Sequence, residues 1–279
     1  MTSSILVTGG TGTLGRFVTP LLRDAGHDVR VLSRHGRAPQ EGVEYVAADL
    51  LKGDGAEAEK AIESAVDGAG TVLHLAGGPK GDDEATRNLV RAASRVGVRH
   101  FVYISVIGAD RMPIGYFRAK AGAERAVEES ELPWTTLRAA QFHDLVLTMT
   151  RPMAKLPVLL APGGIRMQPV DARDVAARLV ELALGEPAGR VADLAGPKLY
   201  RLDELTRGYL QARATGRQTH RPTRRQTHRP PRRPTVPLRV PGKVGRAYRA
   251  GDNLALDGAD VGRRTWEDFL AERAAGARG

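Results

Sequence analysis

Three side chains in the middle of the sequence have the types and the spacing needed to pass a proton to or from a small molecule. Tyr116 and Lys120 stand four residues apart, so in a helix they would share one face and reach one site. A phenol has a pKa of about 10 and is a poor acid or base at neutral pH, but a neighbouring ammonium group favours the phenolate. Ser105 follows a predicted strand, at the end where ligands bind to such sheets. We therefore predict Ser105, Tyr116 and Lys120 as catalytic residues, with Lys120 lowering the pKa of Tyr116.

A glycine-rich turn near the start of the sequence has the form needed to hold phosphate groups. Residues 5–7 are an apolar run without alternation, which predicts a buried strand, and a helical pattern runs from residue 14 to about residue 25. Glycines between such a strand and helix permit a turn with positive φ, a close approach of the backbone to a pyrophosphate, and tight helix packing. The helix N-terminus also favours negative charge. The predicted cofactor contacts in this loop are Gly9, Thr11, Gly12, Thr13, Leu14 and Gly15.

The end of the second predicted strand indicates which dinucleotide the loop would hold. Residues 29–32 form that strand, and Ser33 and Arg34 follow it, with Arg37 close behind. An acidic residue about 20 positions beyond the glycines binds the ribose 2′-hydroxyl of NAD, whereas an arginine accommodates the 2′-phosphate of NADP. We therefore favour NADP, with Ser33 and Arg34 as contacts. NAD stays possible, because the arginines could equally be solvated loop residues.

The remaining pattern alternates strands with helices and indicates an α/β fold. The further predicted strands are 43–48, 71–75, 101–104, 134–138 and 191–194, and the further predicted helices are 56–66, 83–96, 171–184 and 202–214. We predict a Rossmann-like, doubly wound parallel sheet with a small C-terminal substrate lobe. A single NAD(P)-binding domain would span residues 1–279, with the lobe contributed by about 141–170 and 196–279.

Two stretches carry a resemblance to a known family. The T-G-x-x-G-x-x-G pattern from Thr8 to Gly15 resembles the short-chain dehydrogenase/reductase superfamily. The run from Tyr116 to Arg138 resembles, more narrowly, the atypical members of the NmrA-like NAD(P)H-binding family, which have a glutamate after the lysine and then a strand reading W-T-x-L-R-P. Glu124 and residues 134–138 match this pattern, but Ala139 stands where proline is usual. The similarity covers about residues 4–210 and includes the stretch 168–176.

The resemblance implies roles for further residues. In the family, an Asp with an apolar neighbour after the third strand contacts the adenine, and small residues after the fourth strand let the backbone approach the cofactor. Asn88 resembles the superfamily's relay asparagine, which adds it to the catalytic residues, although an ordinary asparagine on a helix surface is an equally open interpretation. Lys120 would hold the nicotinamide ribose. The cofactor contacts that the resemblance implies are Asp49, Leu50, Leu75, Ala76, Gly77 and Lys120.

Two histidines lie close to the predicted site in sequence. His74 ends a predicted buried strand and has no serine or acid nearby in sequence, so we interpret it as a core histidine. His143 lies in an apolar, proline-interrupted region at 141–167. The resemblance places this region over the nicotinamide, where His143 could donate a hydrogen bond to substrate. For His143 we favour a structural role over that contact.

The composition excludes several classes of protein. The 279 residues are 42% hydrophobic and 27% charged and include no cysteine, which rules out disulfides, zinc-thiolate sites and thiol catalysis. No apolar run approaches the roughly 18 residues of a transmembrane helix, and no signal peptide is apparent. We expect a cytoplasmic protein with no membrane partner and no metal site.

An arginine-rich segment near the C-terminus accounts for most of the net charge of +10. Residues 217–224 and 225–232 are a tandem duplication that differs at one position, and residues 217–233 contain seven arginines and no acid, which leaves +3 for the rest of the chain. A stretch of Pro and Arg without apolar residues cannot form a core, so we predict a disordered loop at 216–237. Its arginines could bind phosphate groups or RNA, but no aromatic residue is interleaved to stack on bases. We expect no nucleic-acid partner.

These observations favour an NAD(P)-dependent oxidoreductase with NADPH as its cofactor. It would transfer hydride to or from a carbonyl or quinone-like small molecule, with Tyr116 handling the proton and Ser105 orienting the carbonyl. Some relatives bind NAD(P) without turning it over, so a non-catalytic redox sensor or regulator of the NmrA type is the alternative. A sugar-nucleotide epimerase or dehydratase is a third possibility, which Arg34 weakens because such enzymes usually use NAD. The sequence leaves the substrate and the oligomeric state open.

Overall fold

The computed structural model describes residues 4–34, 37–52, 55–78, 80–218, 233–255 and 257–276. The chain divides into two compact units. The first comprises residues 1–139 and 172–193, and the second comprises residues 140–171 and 194–279. Every residue predicted for cofactor binding or catalysis belongs to the first unit, since the last of them along the chain is Lys120.

The secondary structure alternates strands and helices through most of the chain. In chain order the elements are β1 (Ser4–Thr8), α1 (Gly15–Asp24), β2 (Val29–Ser33), β3 (Val43–Ala47), α2 (Ala56–Val66), β4 (Ala69–His74), α3 (Asp82–Arg95), β5 (His100–Val106), α4 (Gly115–Glu128), β6 (Trp134–Ala139), α5 (His143–Met153), β7 (Leu159–Pro162), β8 (Arg166–Met167), α6 (Ala172–Leu184), β9 (Gly189–Arg190), β10 (Leu194–Ala195), β11 (Tyr200–Arg201), α7 (Leu202–Gln218), β12 (Thr235–Leu238), α8 (Gly242–Ala250), β13 (Asp260–Val261) and α9 (Trp266–Gly276). Among the helices of the described residues, none is long and apolar enough to cross a membrane.

The first unit is built on a parallel sheet whose winding reverses next to its first strand. The strand order is β3, β2, β1, β4, β5, β6 and β9, and every neighbouring pair is parallel. The chain moves outward from β1 through β2 and β3, then returns to the other side of β1 with β4. Ligands of open α/β sheets bind outside the carboxyl ends of the strands at such a reversal. The predicted doubly wound, Rossmann-like sheet is confirmed.

The core of the first unit explains why its strands read as continuous apolar runs. Leu6 on β1, Val72 on β4 and Phe101 on β5 are each 0% exposed, because helices cover both faces of the sheet. One contiguous apolar cluster joins these strands to α2, α3 and α4. Function-bearing side chains therefore have to project from the strand ends or from the turns that follow them.

Helix α1 runs without a break from Gly15 to Asp24, although Pro20 lies inside it. A proline within a helix removes one backbone hydrogen bond and costs about 3 kcal/mol in isolation. Val18 and Leu22, on the buried face of α1, are both 0% exposed. We infer that burial of this face offsets the cost of Pro20.

The second unit has its own core of aliphatic and aromatic side chains. Trp266 is 0% exposed, and its indole N–H donates to the carbonyl of Leu205 over 3.0 Å. The Phe269 ring stacks on the Trp266 ring with 5.4 Å between centroids. These aromatics join α5, α7 and α9 in one cluster. Trp266 and Phe269, close to the C-terminus, thus belong to the core of this unit.

Two sequence predictions about the chain after residue 185 need correction. The predicted strand at 191–194 is wrong in place, because the chain instead pairs at 189–190 and 194–195. The predicted disordered loop at 216–237 is too long at both ends. Residues 216–218 continue α7, and residues 235–237 belong to β12, which pairs with β7 through the backbone and so needs no apolar core. Residues 219–232, which hold most of the tandem duplication, lie outside the described residues.

Candidate functional site

The three spaced glycines of the first turn each serve a different steric purpose. Gly9 has φ +68°, and a Cβ atom there would lie 2.7 Å from the backbone nitrogen of Ala76 at the end of β4. A Cβ at Gly15 would lie 2.3 Å from the backbone of Gly10, so only glycine lets α1 begin this close to the loop. A Cβ at Gly12 would meet only the carbonyl oxygen of Gly9, at 3.2 Å. Gly9 and Gly15 thus close the loop, while Gly12 leaves room beside it for a ligand.

The N-terminus of α1 is suited to an anion. The N-cap residue Leu14 makes no side-chain hydrogen bond to the helix, and the first turn of α1 contains no acidic residue. The first N–H groups of any helix have no partner within it, and the helix dipole favours negative charge there. Thr11 and Thr13 are exposed on the same loop. Together with the room beside Gly12, these features fit the pyrophosphate of a dinucleotide.

The ends of β2 and β3 form the neighbouring part of the predicted cofactor surface. Ser33 is the last residue of β2, and Arg34 follows it in an exposed position. After β3, a carboxylate oxygen of Asp49 accepts a hydrogen bond from the N–H of Leu51 over 3.1 Å, which shapes the turn. Leu50 is 7% exposed and belongs to the core cluster. Leu50 therefore has a packing role whether or not it also contacts an adenine.

Asn88 on α3 is hydrogen-bonded to the backbone of the turn after β3. Its side-chain amide donates to the carbonyl of Leu50 over 2.8 Å and so ties α3 to the turn after β3. Thr86 lies on the face of α3 that contacts β4, and at about 100° per residue Asn88 lies about 200° further around the helix. Asn88 therefore supports the turn after β3, and its role as a catalytic relay stays a prediction.

A buried chain of hydrogen bonds connects the end of β1 to the first turn of α3. Thr8 Oγ1 accepts from the N–H of Ala76 over 3.1 Å and lies 2.6 Å from His74 Nδ1. His74 Nε2 lies 3.1 Å from Thr86 Oγ1, whose hydroxyl donates to the carbonyl of Asp82 over 2.6 Å. Because the Thr86 hydroxyl donates to Asp82, its oxygen can only accept a hydrogen bond from His74. His74 must therefore carry its proton on Nε2, and its Nδ1 accepts a hydrogen bond from the Thr8 hydroxyl.

These hydrogen bonds explain the role of His74. Its ring is 0% exposed, and burial lowers the pKa of His74 to about 4. His74 is therefore neutral at physiological pH and fixes the positions of β1, β4 and α3 relative to one another. The prediction of a core histidine is confirmed.

Lys120 on α4 is buried and fully hydrogen-bonded. Its Nζ lies 3.0 Å from a carboxylate oxygen of Asp82, and it donates to Tyr103 Oη over 3.2 Å and to the carbonyl of Ile104 over 3.1 Å. An ammonium group has three protons, so these three partners account for all of them. A Cβ at Gly77 would lie 3.0 Å from Nζ. Lys120 Nζ thus lies next to Gly77, in the turn after β4 where the sequence predicts the cofactor.

Tyr116 lies one helical turn before Lys120 and is 36% exposed. Burial and the negative charge of Asp82 raise the pKa of Tyr116 to about 12. The pKa of Tyr116 is therefore raised, chiefly by burial, and not lowered as the sequence predicts. The ammonium group of Lys120 is itself paired with Asp82. Tyr116 is a protonated phenol throughout the physiological range.

Ser105, near the end of β5, has a buried hydroxyl without a partner. It is 4% exposed, and its Oγ makes no hydrogen bond within the described part of the chain. A buried polar atom of this kind costs stability unless a ligand or water satisfies it. Ser105 directly follows Ile104, whose carbonyl accepts a hydrogen bond from Lys120. The side chains of Ser105 and Lys120 therefore lie at the same end of β5.

A second buried ion pair fixes the helix that carries Tyr116 and Lys120. Arg138 on β6 makes a bidentate contact with Glu124 on α4, at 2.6 Å and 2.5 Å, and a further bond of 2.9 Å with Asp110. These carboxylates hold the pKa of Arg138 above its ordinary value despite burial. The residues that carried the family resemblance at 124 and 138 thus anchor α4 to the sheet.

Asp82 and Tyr103, the two side-chain partners of Lys120, are not among the residues predicted from the sequence. Tyr103 Oη donates to Asp82 Oδ2 over 3.0 Å, and both residues are buried. Tyr103 lies within an apolar predicted strand, which indicates a core residue. Asp82 lies one residue before the predicted start of the helix at 83, which indicates a loop residue. The only signal available was that the run from 101 to 104 contains a single hydroxyl-bearing residue.

A sequence model of an NAD(P)H-binding family matches residues 9–185, which include the glycine loop, all of the predicted site residues and α6. The chain belongs to this NAD(P)H-binding family. The predicted resemblance is thereby confirmed at the level of the family and its cofactor class.

Relatives of known activity include reductases. The (4-alkanoyl-5-oxo-2,5-dihydrofuran-3-yl)methyl phosphate reductase of Streptomyces griseus is 32% identical over 206 residues, which are 72% of this chain and 71% of that protein. The NAD(P)H azoreductase of Xenophilus azovorans is 30% identical over 189 residues, which are 66% of this chain and 64% of that protein.

A solved structure with cofactor shows the same fold. The NADPH-dependent quinone oxidoreductase QOR2 of Escherichia coli, complexed with NADPH, superposes with a TM-score of 0.69 at 20% identity. The superposition covers 99% of this chain and 100% of that chain. At this level of identity the likeness supports the fold.

Proposed function

We propose that this NAD(P)-dependent oxidoreductase uses NADPH to reduce a carbonyl or quinone-like small molecule. The observation that carries the proposal is the state of the two hydroxyl groups that the sequence predicts for the site. Ser105 offers a buried hydroxyl that lacks a partner among the described residues, and Tyr116 offers a partly exposed phenol that keeps its proton. A reduction needs a proton donor and an orienting hydrogen bond at the oxygen that gains charge.

Each residue has a defined task in this reaction. Ser105 Oγ–H donates a hydrogen bond to the substrate oxygen and orients it. Tyr116 holds a proton on Oη and gives it to that oxygen as the bond order falls. Lys120 anchors the end of β5 through Ile104 and supports the Gly77 backbone, beside which the nicotinamide ribose would lie. Bound NADPH supplies the hydride. The glycine loop and the N-terminus of α1 hold the pyrophosphate.

The preference for NADPH over NADH rests on Arg34. It is exposed directly after β2, at the position where an acidic residue would select a ribose 2′-hydroxyl. A guanidinium group can bind a phosphate with two parallel hydrogen bonds, which a free hydroxyl cannot match.

The substrate class is supported by what the relatives are named for. Their names describe a reductase of an alkanoyl-oxo-dihydrofuran phosphate, an azoreductase and a quinone oxidoreductase. Carbonyl and quinone groups both need a hydride and a proton at a polar, unsaturated group. A small-molecule substrate and a cytoplasmic location, as the sequence predicts, complete the proposal.

The test is NADPH consumption by the wild type and by Tyr116→Phe against a panel of carbonyl, quinone and azo compounds. Loss of a general acid typically costs about 10²- to 10⁴-fold in rate, so Tyr116→Phe should lose at least about 100-fold in kcat with any active substrate. Tyr45→Phe is the matched control, because Tyr45 lies on β3 at the far edge of the sheet from β5.

Two results would contradict the proposal in different ways. Equal turnover by the wild type and Tyr116→Phe would remove Tyr116 from the mechanism. Tight NADPH binding with no consumption by any compound would instead favour the redox sensor, in which the cofactor is bound and not used.

A further inference from the structure

We propose that Asp82 and Lys120 bind a hydroxyl group of the nicotinamide ribose in a notch beside Gly77. The notch is the space that a side chain at residue 77 would fill. This inference rests on the proposed function in taking NADPH as the ligand, and it concerns binding rather than turnover. It adds Asp82 to the cofactor contacts, as a hydrogen-bond acceptor.

The notch lies between a hydrogen-bond donor and a hydrogen-bond acceptor. Gly77 is exposed in the turn after β4. A Cβ atom there would lie 3.0 Å from Lys120 Nζ, 3.1 Å from Asp82 Oδ1 and 3.6 Å from Lys120 Cε. The first two values are hydrogen-bond lengths for an oxygen atom in the same place. The side chains of Lys120 and Asp82 are 5% and 1% exposed, so the missing side chain of Gly77 gives a ligand access to them.

The two carboxylate oxygens of Asp82 have different neighbours. Tyr103 Oη donates to Oδ2 over 3.0 Å, and Lys120 Nζ lies 3.0 Å from the same oxygen. The other oxygen, Oδ1, borders the notch. Each carboxylate oxygen has two lone pairs, so Oδ1 can accept a hydrogen bond from a ligand while Oδ2 keeps both of its protein partners.

The group that fits the notch must donate to Oδ1 and turn a lone pair toward Nζ. A hydroxyl group does both. A phosphate or carbonyl oxygen has no proton to give to the carboxylate, and an ammonium group would bring a like charge to Nζ. The protons of Nζ are directed at Asp82, Tyr103 and Ile104. The new hydrogen bond is therefore the one to Oδ1, and Lys120 contributes its positive charge.

The place of the notch in the first unit indicates which hydroxyl it takes. The glycine loop adjoins it, since a Cβ at Gly9 would lie 2.7 Å from the backbone nitrogen of Ala76. The groups attached to the pyrophosphate of a dinucleotide are its two riboses. Arg34, proposed for the 2′-phosphate of the adenosine ribose, follows β2, and β2 and β4 lie on opposite sides of β1. The ribose on the β4 side is therefore the one that carries the nicotinamide.

The experiment is a calorimetric titration of the full chain with NADPH and with two analogues. One analogue lacks the 2′-hydroxyl of the nicotinamide ribose, and the other lacks the 3′-hydroxyl. A hydrogen bond to a charged group is among the strong ones, so the wild type should bind one analogue at least about tenfold more weakly than NADPH. We call this ratio the hydroxyl preference.

Gly77→Ala fills the notch without changing any charge. Neither Gly77 nor its neighbour Gly78 has a positive φ, so alanine brings no backbone strain at either position. Because the new methyl group takes the place of the hydroxyl, the hydroxyl preference of Gly77→Ala should fall to about threefold or less. Gly78→Ala is the matched control, because its Cβ meets only the carbonyl oxygen of Lys80, at 3.7 Å. It should keep the wild-type preference, whatever its effect on overall affinity.

A second ligand checks that Gly77→Ala leaves the rest of the site intact. Adenosine 2′,5′-bisphosphate contains the adenine half of NADPH and no nicotinamide ribose. Gly77→Ala should bind it within about twofold of the wild type, because the change is local to the other half of the ligand.

Asp82→Asn tests the acceptor itself. A neutral amide oxygen accepts a weaker hydrogen bond than a carboxylate, so the hydroxyl preference should fall to about threefold or less. An unchanged preference in Asp82→Asn would overturn the role of Asp82. If this variant does not fold, Gly77→Ala and Gly78→Ala still decide the outcome.

Equal affinity of the wild type for NADPH and both analogues would overturn the proposal, since only water would then use the notch. A hydroxyl preference that survives in Gly77→Ala would overturn it as well. Failure of the proposed function looks different. A chain that shows the preference but consumes no NADPH with any compound lacks the reductase activity and keeps the notch. A chain that reduces a carbonyl compound without the preference loses the notch alone.

Discussion

At the scale of single residues, the elements that carry the predicted site residues could be inferred from the sequence, but the partners of Lys120 could not. The spacing of Tyr116 and Lys120 placed both on α4, and the strand rule placed Ser105 at the end of β5. Lys120 was expected to act on Tyr116 because the two are neighbours in sequence. The structure adds Asp82, which is 38 positions earlier in the chain and reaches Lys120 only because α3 packs beside α4. A contact between two helices of this kind leaves no periodic signal in the sequence.

A residue-scale prediction concerns Arg34 and the choice of cofactor. Arg34→Ala should weaken NADPH binding by about tenfold or more, because a charge-assisted contact to the 2′-phosphate is lost, and should leave NADH binding within about twofold. Calorimetric titration with both nucleotides measures the two effects separately. Arg99→Ala is the control, since Arg99 is exposed just before the amino end of β5. Equal weakening of NADPH and NADH binding would contradict the role of Arg34.

At the scale of elements, the strand, turn and helix around the glycines agreed with one another and were predicted to within a residue or two. Apolar strands, glycine positions and the helical pattern all come from local sequence, so their agreement was visible before the fold was known. Asn88 shows the limit of this local approach. Its helix was predicted, but the face it occupies depends on where α3 meets β4, and that contact is set by the tertiary structure.

An element-scale prediction separates the two kinds of glycine in the loop. Gly12→Ala should lose less stability than Gly9→Ala, because its Cβ meets a single backbone oxygen at 3.2 Å. It should weaken NADPH binding by about tenfold or more, because the added methyl group fills the room for a phosphate. Gly9→Ala should lose about 1–3 kcal/mol of stability, because a non-glycine residue at φ +68° is strained and its Cβ would meet the end of β4.

The measurements are thermal unfolding and NADPH titration of both variants. Gly185→Ala is the control, because it adds the same methyl group at an ordinary contact distance of 3.4 Å, at the end of α6. Unchanged NADPH affinity in Gly12→Ala would mean that the room beside Gly12 is not used by the cofactor.

At the scale of the whole molecule, His74 connects the stability of the fold to pH. Its pKa is about 4 in the folded protein and about 6.5 in the unfolded chain, so between these values the unfolded state binds the extra proton. Stability is therefore full above about pH 6.5 and falls as the pH drops toward 4, by at most about 1.4 kcal/mol per pH unit from this group. His100, whose pKa is also lowered by burial, adds to the same trend.

Chemical unfolding of the wild type and His74→Gln between pH 4.5 and 7 tests this. The variant should show a visibly smaller loss of unfolding free energy over that range, because glutamine does not titrate there. His27→Gln, at a partly exposed histidine, should keep the wild-type dependence. The same pH dependence in His74→Gln and the wild type would contradict the assignment of His74 as a neutral structural residue.

The division of the chain into two units also belongs to this scale. The second unit was predicted as a lobe from about 141–170 and 196–279, and the structure gives 140–171 and 194–279. That this unit binds substrate stays a prediction, since an apolar region such as 142–156 has the same composition whether it lines a pocket or fills a core. Substrate identity is decided by side-chain positions that periodicity does not encode.

The most direct test of the central claim, that the cofactor is used for reduction, is deuterium transfer from NADPH labelled at the nicotinamide C4 position. A carbonyl compound found active in the substrate panel would be reduced with each C4 epimer of the labelled cofactor in turn, and the product analysed by mass spectrometry. We predict one deuterium on the former carbonyl carbon with one of the two epimers, and a rate at least about 100-fold lower in Tyr116→Phe. An unlabelled product from both epimers would contradict it.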